Sequence, residues 1–284
     1  MPELPEVETV IQALVHTPII GAKIERVSVE WLRIVVGCVK KFSTSLQGAI
    51  IHAITRRGKY LIFHLRDGRF LVVHLRMSGQ FFLYSEWTEK SKHVHVDFVF
   101  SNGYHLHYHD PRKFGKMEIV ENITSYFSQM GLEPFSQEFS FQAFSSLLKT
   151  KKKIKPHLLD QSVIAGLGNI YVDEALWHAR VHPEERASTL SQEAKKALFV
   201  AIPHVLQKGL SLKGTSLGKG LGNFHSVNGQ VGEHQEHLSV FQKKGKPCLR
   251  CKEPIIKIFV AQRGTHLCPY CQVVKPDRAS VPPD

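Results

Sequence analysis

Through the first 132 residues, hydrophobic positions come in short, partly alternating runs. The stretches "AKIERVSVEWLRIVV", "GAIIHAITRRGKYLIFHLRDGRFLVVHLRMSG", "HVHVDFVFSNGYHLHYHD" and "GKMEIV" are rich in β-branched and aromatic residues and are split by "DG" and "NG" pairs. Successive side chains of a strand point to opposite faces, and Asp-Gly or Asn-Gly supplies the positive φ of a tight hairpin. The block therefore predicts several short strands in a sandwich or barrel-like domain, preceded by a short helix. Beyond about Phe135 the period lengthens. "SQEFSFQAFSSLLKTKKKIKPHLLDQ", "GNIYVDEALWHARV" and "SQEAKKALFVAIPHVLQKGL" carry apolar residues at helical spacing, which predicts a helical second domain. Cys38, inside the apolar stretch "WLRIVVGCV", is expected to be a buried small hydrophobe.

Lys213 to Gln235 breaks both patterns, setting Gly214, Gly218, Gly220, Gly222, Gly229 and Gly232 among Ser, Asn and His. A loop is expected there, of a length that often carries function. The last residues, 276–284, are expected to form a disordered tail.

Charge changes the picture next. Across 284 residues, 37 Lys and Arg stand against 25 Asp and Glu, a formal net charge of +12. Such a surplus favours a polyanionic partner, because neutralising phosphates releases condensed counterions. No apolar run approaches the ~20 residues of a membrane span, and the first ten residues hold three glutamates where a secretion signal would be basic. No membrane association and a cytoplasmic location are the expectations.

Four of the five cysteines sharpen this further. Cys248, Cys251, Cys268 and Cys271 form C-x2-C-x16-C-x2-C, a spacing that closes one tetrahedral Zn2+ site with no open position, hence a structural ion. Between the pairs, "IIKIFVAQRGTH" predicts a hairpin with Arg263 at its tip. Gly166, Leu167, Gly168 and Asn169 form a turn into a helix whose free N–H groups suit an anion, downstream of the basic run "KTKKKIKP". "HLRMSG" and "HDPRKFG" put Met77, Arg112 and Phe114 in loops, the residue types that wedge into a base stack. His105, His107 and His109 share one strand face; with no carboxylate pattern of ligand geometry beside them, a solvated or hydrogen-bonded face is expected.

The order "PELPEVETV", "RRGKYLIF", "HLRMSG", "HDPRKFG", "IKPHLLDQ", "AGLGNIYVDEALW", "KKGKPCLRC", "AQRGTHLCPYCQ" resembles the formamidopyrimidine-DNA glycosylase family over nearly the whole chain. The resemblance implies an α+β fold. An N-terminal β-sandwich with an N-terminal helix spans 1–132. A helix-two-turn-helix domain spans 133–235, with a damage-capping loop near 213–235, and a zinc-finger hairpin spans 236–275. It implies a monomer that acts on damaged double-stranded DNA, removing oxidised purines and cutting the abasic strand by β,δ-elimination. Pro2 matches the nucleophile exposed by loss of Met1, Glu3 the acid beside it, and Glu6 a supporting carboxylate. Lys59 and Arg263 match basic residues tied to phosphate contacts and strand cleavage. Met77, Arg112 and Phe114 match the trio that fills the gap left by an everted base. Asn169 matches the helix-two-turn-helix clamp and His93 a DNA contact, Lys155 resembles a residue near the damaged base, and Lys151 belongs to the lysine run of DNA contacts. The capping loop departs from the pattern, with Gly218 at the expected basic position and Lys219 one later. An endonuclease VIII-like enzyme for oxidised pyrimidines and a non-catalytic damaged-DNA binding protein stay open as alternatives.

An amine nucleophile must be unprotonated to attack. A model α-amino group, with a pKa of ~8 against ~10.4 for Lys, is unprotonated roughly 200 times more often at neutral pH. That favours Pro2 over an unperturbed lysine, with Glu3 as proton shuttle.

Overall fold

The structure is a computed structural model that describes residues 1–217, 227 and 231–274. These residues fall into two compact units. One comprises Met1–Gln129 with Gly209–Gln235; the other comprises Met130–Lys208 with the described residues from Glu236 onward. The segment expected to belong with the helical domain therefore groups with the N-terminal one.

In the first unit, helix α1 (Leu4–Val15) begins with a capping box and buries Leu4, Val7, Val10, Ile11 and Leu14 along one stripe. Strands β1 (Ile24–Val29), β6 (Val94–Phe100), β7 (His105–His109) and β5 (Gln80–Tyr84) form one four-stranded sheet in the order β1-β6-β7-β5. Strands β2 (Ile51–Arg57), β3 (Tyr60–Leu65), β4 (Phe70–His74) and β8 (Lys116–Val120) form another, in the order β2-β3-β4-β8. Every pairing of named strands is antiparallel. Leu61, Phe63, Leu71 and Val73 of one sheet and Val96, Phe98, Leu106 and Tyr108 of the other share a single core. This is the expected sandwich. Its predicted turns fall at Asp67-Gly68 and Asn102-Gly103, where the glycines have φ of 87° and 86°.

Two expectations are corrected here. "WLRIVVGCV" is not a buried strand: after β1 the chain makes a short 3-10 turn at Leu32–Ile34, swings out at Gly37 (φ 94°) and enters helix α2 (Val39–Leu46). Cys38, the residue that caps α2, is exposed. Of the apolar neighbours that suggested burial, Ile34 and Val35 do join the core, but Leu32 and Val36 are themselves outside, 63% and 47% exposed. His105, His107 and His109, for their part, are buried, so of the two expected readings the solvated one falls and the hydrogen-bonded one holds for His105, whose Nδ1 lies 3.2 Å from Asp97 Oδ1. Tyr84 packs on His107 at 4.9 Å and Phe82 on His109 at 5.7 Å between ring centroids, and a carboxylate does accompany the face, from Asp97 of the paired strand.

The second unit carries α4 (Phe141–Leu147), α5 (Ile154–Leu159), α6 (Asn169–His178), most of α7 (Gln192–Ser211) and the hairpin β9 (Ile256–Val260) and β10 (Arg263–Leu267); a single turn, α3 (Ile123–Tyr126), closes the first. The Ser140 hydroxyl accepts the Ala143 N–H and starts α4. Helix α6 is buried from Ile170 through Trp177, the central strut of this unit. Among the described residues, no helix is long and apolar enough to cross a membrane.

Candidate functional site

The capping of α1 sets two carboxylates beside the chain terminus. Glu3 and Glu6 are 3% and 1% exposed. Glu6 Oε2 accepts the Glu3 N–H at 2.8 Å, and Glu6 Oε1 accepts the Thr215 N–H at 2.8 Å. Thr215 in turn places its hydroxyl 3.1 Å from His234 Nδ1, and Ser216 Oγ accepts the Gly232 N–H at 2.9 Å. The described base of the 213–235 loop is therefore wired to the terminus through Glu6. Thr215 has no motif signal; only its place after α7 hints at it.

Pro2 is buried. The terminal amine, which here is that of Met1 and precedes the Pro2 nitrogen by one residue, is held below its ordinary pKa of 8.0 by burial. Glu3 and Glu6 oppose that shift, while Lys59 and Arg112 add to it. Lys59, 4% exposed, follows Gly58 at the β2–β3 turn. Glu3, Glu6, Lys59 and Arg112 thus all lie within electrostatic reach of the chain terminus, next to Pro2. His74, on β4, completes the surroundings. Its Nδ1 accepts the Arg76 N–H at 2.9 Å and its ring meets Tyr60 edge-on at 4.5 Å. Burial, with help from Arg76 and Lys59, drives its pKa down to about 3, so it is neutral.

Met77 and Phe114 are 41% and 49% exposed, each on a loop whose neighbour has a left-handed backbone, Arg76 (φ 54°) and Lys113 (φ 59°). Both loops hang on Asp110, which is fully buried. Its Oδ1 accepts the Ser78 hydroxyl at 2.5 Å and the Arg112 N–H at 3.2 Å; its Oδ2 accepts the Phe114 and Gly115 N–H groups at 2.8 and 2.7 Å. The same loops close over the Tyr108 hydroxyl. A Cβ on Gly79 would lie 2.0 Å from that oxygen and one on Gly115 1.8 Å, so only glycine fits at either place. The exposed Arg112 guanidinium rests 5.1 Å from the Phe114 ring centroid. His93 joins this region through its carbonyl, which accepts the Asp110 N–H at 2.9 Å, and its ring, edge-on to His109 at 5.4 Å.

In the second unit Arg263 is exposed and opens β10 directly after a two-residue turn. Ala261 and Gln262 hold φ of 46° and 61° there, positions that normally select Asn-Gly. Asn169 is the first residue of α6 and donates to the Gly264 carbonyl at 3.0 Å. Lys155 is completely enclosed. Its ammonium donates to Asp173 Oδ1 (2.7 Å), Thr265 Oγ1 (2.8 Å) and Gly264 O (3.3 Å), so it ties the finger hairpin to α5 and α6. Lys151 is exposed in the segment between α4 and α5. Sequence reasoning missed the acids that assemble this unit: Asp173, which also accepts the His266 N–H at 2.8 Å, and Glu174, which accepts the N–H groups of Ser239, Val240 and Phe241.

The four finger cysteines bring their sulfurs within 4.8 Å of one another, with Cys248 to Cys271 at 3.9 Å and Cys251 to Cys268 at 3.3 Å. A tetrahedral zinc with Zn–S of about 2.3 Å separates its sulfurs by about 3.8 Å, so the donor set fits. Burial and the neighbouring thiols push Cys271 up to about 12, so ionising all four needs a cation among them. The cluster is anchored by Arg250, which stacks 3.9 Å from the Trp177 ring centroid and donates to the Trp177 and His178 carbonyls at 2.6 and 3.1 Å.

The expectations for Gly218, Lys219 and the tail 276–284 lie outside the described residues.

Comparison with known proteins defines first a class. Family profiles match a formamidopyrimidine-DNA glycosylase N-terminal domain over residues 1–117, the H2TH domain of the same enzymes over 130–220, and a zinc finger found in these enzymes and in an isoleucyl-tRNA synthetase family over 245–273. The chain is 44% identical to the formamidopyrimidine-DNA glycosylase of Protochlamydia amoebophila, over 96% of this chain and 99% of that one. A solved structure of MutM in complex with carbocyclic 8-oxo-G containing DNA superposes with a TM-score of 0.88 at 42% identity, covering 96% and 100% of the two chains. A complex of the Lactococcus lactis enzyme with an oxidised-pyrimidine-containing DNA gives a TM-score of 0.88 at 40% identity, covering 96% and 100%. The chain belongs to the formamidopyrimidine-DNA glycosylase family, and its four finger cysteines hold one structural zinc.

Proposed function

We propose that this protein is a base-excision repair enzyme, a DNA glycosylase for oxidised purines in duplex DNA that also cleaves the abasic strand. The observation that carries the reading is the chain terminus, where buried Pro2 stands beside buried Glu3 and Glu6, with Lys59 and Arg112 within electrostatic reach. In this reading Met1 is removed and the Pro2 nitrogen attacks the sugar C1′. An N–C1′ bond forms, the bond from C1′ to the base breaks, and Glu3 delivers a proton as the base departs or the sugar ring opens. A secondary amine gives an iminium with no N–H to lose, so it stays cationic and draws electrons from C2′. Loss of a C2′ proton expels the 3′ phosphate, and a second elimination expels the 5′ phosphate, leaving a one-nucleotide gap.

Glu6 orients this end through the Glu3 and Thr215 N–H groups. Met77, Arg112 and Phe114 fill the vacated position in the stack, at a cost for eversion of a few kcal/mol. Lys59, Arg263, Asn169, His93 and Lys151 contact phosphates, and Lys155 supports the hairpin that carries Arg263. Acting on chromosomal DNA as a monomer, the enzyme works in the cytoplasm.

The test is borohydride trapping on duplexes carrying 8-oxoguanine, formamidopyrimidine or an oxidised pyrimidine. Wild-type protein is expected to cross-link to the oxidised-purine duplexes most efficiently. Absence of a cross-link, or an undiminished one after Pro2→Gly with Glu3→Gln, overturns the chemistry; a cross-link confined to oxidised pyrimidines overturns the substrate class.

A further inference from the structure

Beyond the cysteine cluster, the described residues contain one further group of potential metal ligands, formed by Asp97 of β6 and His105 and His107 of β7. It lies on the sheet face opposite the core residues Val96, Phe98, Leu106 and Tyr108, and it plays no part in the reaction above. We propose that these three side chains form a second, exchangeable site for a first-row divalent transition ion, Zn2+ in particular, with two imidazole nitrogens and one carboxylate oxygen as ligands.

The strands themselves build the arrangement. Asp97 stands directly across the β6–β7 pair from His107, and His105 lies two residues away on the same face. Asp97 Oδ1 is 3.2 Å from His105 Nδ1 and 3.5 Å from His107 Nε2, and all three donors lie within 4.8 Å of one another. A tetrahedral zinc with bonds of about 2.0–2.1 Å to N and O holds its ligands about 3.3 Å apart, so the two carboxylate-to-imidazole distances already have ligand spacing. Burial strengthens the case. Asp97, His105 and His107 are 1%, 6% and 2% exposed, and His107 Nε2 meets no hydrogen-bonding partner. A buried imidazole nitrogen aimed at a carboxylate it does not properly bond is an unmet polar group, and a cation between them satisfies it.

Lys90 supplies the competing cation. Its ammonium lies 3.0 Å from Asp97 Oδ2, with Glu30 Oε1 4.0 Å away on its other side. In the metal-free protein Lys90 neutralises Asp97. An incoming ion displaces it toward Glu30 and leaves a coordination position for water. Two imidazoles and one carboxylate suit Zn2+, Co2+ or Ni2+ and disfavour Mg2+ and Ca2+, which take oxygen ligands.

The experiment counts metal on the full chain with its cysteine site loaded. Protein is dialysed against graded Zn2+ and measured by inductively coupled plasma mass spectrometry, with a Co2+ arm read by visible absorption. Wild type is expected to reach two zinc ions per chain, and His107→Ala and His105→Ala to stop at one. Lys90→Met, which removes the competing charge, is expected to bind the second ion about tenfold more tightly. The second equivalent of Co2+ is expected to lack the sulfur-to-metal charge-transfer band that the cysteine site shows. The proposal is overturned by one zinc per chain in wild type at every zinc concentration short of precipitation. A second zinc that persists in a folded His107→Ala protein, or a second-site affinity indifferent to Lys90→Met, also overturns it. Should the histidine variants fail to fold by circular dichroism, the Lys90→Met and Co2+ arms decide alone.

Discussion

The loops that carry Met77, Arg112 and Phe114 in the first unit and the hairpin tip that carries Arg263 in the second solve one problem in two ways. Both offer exposed side chains from backbone that includes left-handed non-glycine residues, Arg76 and Lys113 in one case and Ala261 and Gln262 in the other. Such backbone persists only where its surroundings over-determine it. In the first unit the restraint is local: the four hydrogen bonds to the Asp110 carboxylate described above all come from the presenting loops themselves. In the second unit the restraint is remote. Zinc, the buried Lys155–Asp173 pair and the Asn169 amide fix the hairpin as a body, and its tip is held only through that body. Losing the local brace should therefore impair function more than folding, and losing the remote brace should do the reverse.

Lys155→Met gives the largest effect. It leaves Asp173 buried without its cation, so thermal or urea unfolding of the zinc-loaded protein should show a loss of about 3–5 kcal/mol. A loss within error would mean that the hairpin does not depend on this pair. Asp110→Asn comes next. The amide turns a donor toward backbone N–H groups and should misplace the wedge, lowering kcat/KM on an 8-oxoguanine duplex by about a hundredfold. Its stability loss should be smaller than that of Lys155→Met. Equal effects of the two variants on both quantities would erase the distinction between local and remote bracing. Ala261→Asn with Gln262→Gly relieves the turn and should stabilise the finger by about 1–2 kcal/mol, read as a higher midpoint for zinc release on heating.

The smallest effect is a pH shift. Lys59 helps lower the pKa of the Met1 amine, and once Met1 is removed its charge should act in the same sense on the Pro2 nitrogen, so Lys59→Met should raise that pKa. Attack needs the unprotonated amine, whose fraction falls as pH drops through its pKa. The acidic limb of the trapping rate should accordingly move to higher pH in Lys59→Met and to lower pH in Glu3→Gln. Measuring the two pH profiles side by side checks the sign.

What the sequence made legible has a physical pattern. Hairpins with Asp-Gly and Asn-Gly turns and the paired cysteines each declare themselves within a few residues, because their chemistry is local. Exposed Met77, Arg112, Phe114 and Arg263 were legible through their motifs. The buried acids that brace them were not. Asp173 and Glu174 are buried acids that accept backbone N–H groups far away in sequence, while Asp110 accepts mostly N–H groups of its own loop, and a buried acid and a solvated one are written with the same letter. Lys155 sits in a basic run with exposed Lys151, Lys152 and Lys153, yet it falls on the buried face of α5 with Ile154 and Leu158. Asp97 escaped notice beside the histidines because the strand pairing that brings it to His107 is not visible in either strand alone. Cys38 failed in the opposite sense, since apolar neighbours predicted burial and Gly37 turned the chain outward.

The claim on which the account rests is that the terminal Pro2 nitrogen, and no lysine, forms the covalent bond to DNA. Intact-mass measurement should first show protein lacking Met1. That protein, trapped with borohydride on an 8-oxoguanine duplex, digested and sequenced by tandem mass spectrometry, should carry the sugar remnant on the Pro2 nitrogen. A remnant on Lys59, or on any other side-chain amine, would contradict it.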